Sequence, residues 1–169
     1  MYLISNINVW FSIFVFLMGC LIVYCLPQRL PKVVSALIMM LSLAVSLGLD
    51  ETIGVPPMDL YDTNINPGLT ISEIPTWGMY PISGYLFIYL YDKLKIKGLL
   101  IPFYILCWSL FGTAFEALSN TFRVFQYKGW ELRYSFLVYV FTQLLTVIVF
   151  KILMNNFIHN KKERRRGID

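Results

Sequence analysis

Glu116 and Asp50 are carboxylates set in or at the end of otherwise apolar stretches. An ionisable group inside a membrane span costs roughly 2.5–3.5 kcal/mol at a helix centre, so it faces the bundle interior rather than lipid. Helical spacing puts Ser109, Gly112, Thr113, Glu116 and Asn120 on one face. Ser35, Ser42, Ser46 and Asp50 make a second stripe, and Ser135, Tyr139, Thr142 and Thr146 a third, with Gln143 beside it. Small and hydroxylated residues at such spacing pack membrane helices together. The same stripes also suit a polar pocket opening outward, made of Glu116, Asp50, Asn120, Tyr139, Gln143 and Arg133. There, Arg133 or Arg123 would serve as counter-charge. The expected partner of Glu116 lies among Ser46, Asp50, Tyr139 and Gln143. Tyr139 comes first, because one turn from the start of its helix puts its hydroxyl at a similar depth.

A second group of acids, Asp50, Glu51, Asp59, Asp62 and Glu73, occupies a segment with no Lys or Arg. It reads as a solvated loop or as a surface for cations. Asp62, Asn64, Asn66 and Glu73 follow part of a calcium-loop spacing, with Thr70 between them. Pro67 stands where that loop requires glycine, so the pattern is a weak cation loop. Cys20, Cys25 and Cys107 lie in apolar runs, no CxxC exists and His159 is the lone histidine. No metal site, cofactor or catalytic set is implied.

These residues need a membrane scaffold. Of 169 residues, 57% are hydrophobic and only 14% charged, too few charges to coat a soluble domain. Much of the basic excess behind the +4 charge lies in the last nine residues and in short inter-helix loops, a topology signal rather than a nucleic-acid groove. The expected fold is all-α, an integral membrane bundle of five transmembrane helices: Ile7–Leu26, Val33–Leu49, Trp77–Tyr91, Leu99–Asn120 and Tyr134–Met154. The alternative is four spans plus a re-entrant third segment, which is short and contains Pro81. Residues 1–154 form one domain with an external acidic loop over 50–75, and 155–169 a basic cytoplasmic tail. Met1 to Asn8 lack a basic residue, so the first helix is read as uncleaved. Prolines 56, 57, 67 and 75 discourage helix in the acidic loop. Trp10, Tyr80, Tyr91, Trp130 and Tyr134 read as an interfacial belt.

Eleven of the fourteen Lys and Arg residues fall on one side in the five-span arrangement. The positive-inside rule makes that side cytoplasmic, with the N-terminus outside. The tail Lys161 to Arg166 then meets anionic lipid headgroups.

Phe115-Glu116, Trp130-Glu131-Leu132, Tyr134-Ser135-Phe136 and Tyr139 carry a resemblance, joined by the Pro27–Lys32 turn, Asp50 and Trp108-Ser109. In these residues the chain resembles a family of small, uncharacterised multi-pass membrane proteins of Gram-positive endospore-forming bacteria. The resemblance implies a bacterial plasma membrane and no particular activity. Three functional readings follow: a structural, accessory or partner-binding membrane component, a small transporter or ion-binding protein using Glu116 and the outer carboxylates, or a membrane-embedded acid/base enzyme.

Overall fold

The structure, a computed structural model, describes residues 7–63 and 73–166. It is all-helical apart from two three-residue strands. The helices are α1 (Ile7–Cys25), α2 (Lys32–Ile53), α3 (Ile74–Lys93), α4 (Leu100–Thr121) and α5 (Leu132–Arg166). Four of them, all but α3, are long and apolar enough to cross a membrane.

The exception is explained by position. α3 packs against α1, α2 and α5. Ile82, Tyr85, Phe87, Ile88, Tyr89 and Tyr91 are all buried and lie on several sides of the helix. A helix flanked on most sides by its neighbours needs no broad lipid-facing stripe, so it tolerates four tyrosines, a buried Thr76 and Pro81. By contrast α1 exposes Trp10, Phe14, Leu17 and Leu21 along one side.

Boundaries moved where prolines and tyrosines act. α3 starts before Trp77, because Pro75 falls in its first turn, where a missing N–H costs nothing. α2 runs one turn past the expected Leu49, which draws Asp50 into the helix. The basic tail continues α5 as helix to Arg166, 35 residues in all and about 50 Å long.

α3 and α4 end alike. Val124 N–H bonds Ser119 O at 3.1 Å and Arg123 N–H bonds Asn120 O at 2.9 Å, with Arg123 left-handed at φ 59°. Ile96 and Lys95 repeat that pattern on Tyr91 and Asp92. This is the Schellman closure, which favours glycine at the left-handed position. Arg123→Gly should therefore raise the unfolding midpoint in detergent, by a stabilisation of about 1 kcal/mol. An unchanged or lower midpoint would refute the assignment.

The connector after α4 is not irregular. Strand β1 (Tyr61–Thr63) pairs antiparallel with β2 (Phe125–Tyr127), matching Tyr61 to Tyr127. The Leu60 carbonyl accepts the N–H groups of Lys128, Gly129 and Trp130 at 2.9–3.1 Å. Lys128 Nζ bridges Asp59 (2.8 Å) and Asp62 (3.0 Å). The described parts of the two loops form one cap over an end of the bundle.

The opposite half is an apolar core of Leu30, Val34, Ile38, Ile88, Tyr89, Ile105, Val147 and Phe150. Arg29 pairs with Asp92 at 3.2 Å at that end. With no water-driven force between helices inside lipid, close approach decides packing. Gly19 lies against Ile82, Gly78 against Phe16, and a Cβ at Gly84 would overlap the Ser42 side chain.

Candidate functional site

Under the cap, both carboxylates are held by hydroxyl groups. Asp50 of α2 accepts bonds from Tyr61 Oη and Tyr80 Oη, each at 2.6 Å. Glu116 of α4, 7% exposed, accepts from Tyr127 Oη and Ser135 Oγ at 2.6 Å and from Tyr139 Oη at 2.5 Å. Each acid thus receives one tyrosine from a cap strand and one from a helix. Tyr61 and Tyr127 are cross-strand partners, so their side chains leave the sheet on one face. Trp130 Nε1 donates to Ser135 Oγ at 2.7 Å, which extends the network and fixes the serine. Burial is the first cause that pushes the Tyr61 and Tyr127 hydroxyls well above the usual phenol range, with the neighbouring carboxylates adding to it.

The acids line three neighbouring spaces that share wall residues. A cavity of about 80 Å³ lies between them, walled by Asp50, Tyr61, Tyr80, Glu116, Tyr127 and Tyr139 among others. On the cap side, Asp50 and Tyr61 also border a vestibule of about 300 Å³ with Glu51, Asp62, Glu73 and Trp77. Glu73 is buried there. Burial first, then the charges of Asp50 and Glu51, raise its pKa. On the other side Glu116, Tyr80 and Tyr139 border a third space of about 220 Å³ between the helices. Among the described residues, no Lys or Arg lines any of the three.

The polar stripes converge on these spaces. Ser42 and Ser46 of α2, Gly112 and Glu116 of α4, and Tyr139, Thr142, Gln143 and Thr146 of α5 share the third one. Gln143 Oε1 accepts from Ser109 at 3.0 Å, which ties α5 to α4. Asn120 borders none of the three spaces, and its backbone carbonyl serves the α4 closure.

Arg133 takes a different place from the expected counter-charge. Its exposed guanidinium pairs with Glu131, two positions away, at 2.7 Å. Arg123 is exposed at the turn after α4. In the weak cation loop, Asp62 bonds Lys128, whose pKa is raised by Asp59 first and then Asp62. Asn64 and Asn66 lie outside the described residues. No cluster of three metal-ligating side chains occurs among the described residues.

Spacing alone did not reveal Tyr61, Tyr80, Tyr127 or the Trp130–Ser135 link. Tyr80 and Trp130, read as belt residues, face the site, and Tyr91 is buried in the core. A belt residue and a site residue look alike in sequence, since both are aromatic near a span end.

Neither any protein-family model, nor any curated protein, nor any solved structure matches this chain.

Proposed function

We propose that this protein is an ion-binding protein of the bacterial plasma membrane that takes a cation at the Asp50–Glu116 pair. The observation that carries the reading is that, among the described residues, the two carboxylates pair with neutral donors: five hydroxyls from Tyr61, Tyr80, Tyr127, Ser135 and Tyr139. Hydroxyls offset the desolvation of a carboxylate but do not neutralise it, so such a pair attracts a positive ligand. Aromatic walls suit an organic cation, which gains from ring faces and gives up less hydration than a bare metal ion.

In this reading all five helices span the bilayer, with the N-terminus and the cap outside and the C-terminus cytoplasmic. The 20-residue length of α3, about 30 Å, matches the hydrocarbon thickness, and enclosure by its neighbours explains its lower hydropathy. The lopsided Lys and Arg distribution supports the orientation. The exposed Lys161, Lys162 and Arg164 on the helical extension suit anionic headgroups.

Trp130 borders the inner cavity and reports on it. Titrating the purified protein with n-butylammonium should change Trp130 fluorescence saturably, whereas n-butanol should not. Glu116→Gln should weaken the amine response about tenfold or more, a loss of at least 1.4 kcal/mol. Equal responses to amine and alcohol, or an unaltered Glu116→Gln titration, would refute the reading.

A further inference from the structure

We infer that the cation arrives sideways out of the bilayer, and that it is the ammonium head of an amphiphile with a single apolar chain. This rests on the cation-binding reading above and names its ligand class.

The inference comes from the shape of the third space. Trp108, Phe111, Gly112, Phe115 and Glu116 follow one another at helical spacing along α4 and all line it. Eight residues of helix separate Trp108 from Glu116, about 12 Å of depth. Glu116 thus puts a carboxylate at one end of an elongated slot whose wall on α4 is otherwise mostly apolar.

One side of that slot lacks close helix packing: α2 meets α3 and α5, and α5 meets α3 and α4, whereas α3 and α4 pack little on each other. Toward the core it is shut, since Tyr104 Oη donates to Phe87 O at 2.6 Å and the Phe87 ring packs on Trp108. Toward the cap, Phe11 of α1 stacks on Phe115 and Phe122 with centroids 6.3 and 4.3 Å apart. Between these two closures Ser83 and Phe111 are exposed, and both line the slot. Ser83 bonds its own helix at Tyr80 O, so it braces no neighbour. A window at mid-helix height in a membrane bundle faces lipid chains.

Charge decides the head. The slot holds a carboxylate at its end and no Lys or Arg among its described lining, so a phosphate headgroup finds no counter-charge there. An ammonium does, and the tyrosine and tryptophan rings flank its route. A small hydrated cation has the acidic vestibule as its way in and gains nothing from apolar walls. An amphiphile uses both ends.

The test uses the full chain in phosphatidylcholine nanodiscs, with Trp108→Phe identifying the Trp108 signal. Chain-brominated n-dodecylammonium should quench Trp108 at concentrations about tenfold below those required of the matching brominated alcohol. Ser83→Phe should weaken that quenching about tenfold, while the n-butylammonium response at Trp130 stays unchanged. Ser83→Leu serves as the second variant, since residue 83 is exposed and either side chain fits. Quenching by alcohol and amine alike, or quenching indifferent to both Ser83 variants, would overturn the lateral route. A normal butylammonium titration without Trp108 quenching would sink this inference and leave the cation site standing. No response to either amine would remove both.

Discussion

Glu116→Ala is expected to lower the unfolding free energy in detergent by on the order of 3 kcal/mol. The change removes the acceptor shared by Tyr127, Ser135 and Tyr139 and leaves three hydroxyls facing a void. Each unpaired buried hydroxyl costs about 1–3 kcal/mol before local relaxation. Glu116→Gln separates structure from charge. Its amide keeps an oxygen for Tyr127 and Ser135, and the Tyr139 hydroxyl rotates to accept from the new NH₂ group. The glutamine variant should therefore lose less than about 1 kcal/mol of stability. Its response to butylammonium should nevertheless weaken about tenfold or more. Detergent-denaturation midpoints for the two variants decide the matter, and equal losses would mean that the hydroxyl network contributes little.

The second large effect is expected at the α2–α3 contact. Gly84→Ala places a methyl group into the side chain of Ser42, with both the hydroxyl and the Cβ in the way. Overpacking of this kind costs about 1–3 kcal/mol. Rotating the serine frees only the hydroxyl, so the backbones must also part. Ser42→Gly removes the obstruction, and the Gly84→Ala/Ser42→Gly double variant should recover most of the lost midpoint. Failure of the double variant to recover would show that the helices do not meet at this pair.

The sequence carried the scaffold because membrane-length apolar runs and prolines are local signals. Asp50 and Glu116 stood out for a similar reason: a charge amid apolar residues is conspicuous. The Tyr139–Glu116 bond was also readable, since the expected helix ends at Asn120 and Tyr134 put both residues at a similar depth. The rest of the site depends on contacts distant in sequence. Tyr61 and Tyr127 are brought together by strands of three residues each, too short to show alternation, and their pairing spans a turn of one loop and the end of another helix. The burial of α3 was hidden for the opposite reason. Its modest hydropathy reads as a weak span, whereas in the fold α3 packs against α1, α2 and α5. Arg133 seemed a counter-charge because of its place in the chain, but the neighbouring Glu131 is the shorter reach.

The most direct test of the cation site is difference infrared spectroscopy of the carboxylates during n-butylammonium addition. Binding at the Asp50–Glu116 pair should shift the carboxylate stretching bands of the native protein. Glu116→Gln should remove one part of that difference and Asp50→Asn another, because each acid contributes its own band. A native spectrum unchanged at amine concentrations that saturate Trp130 fluorescence would contradict the proposed site, as would a shift that survives both substitutions together.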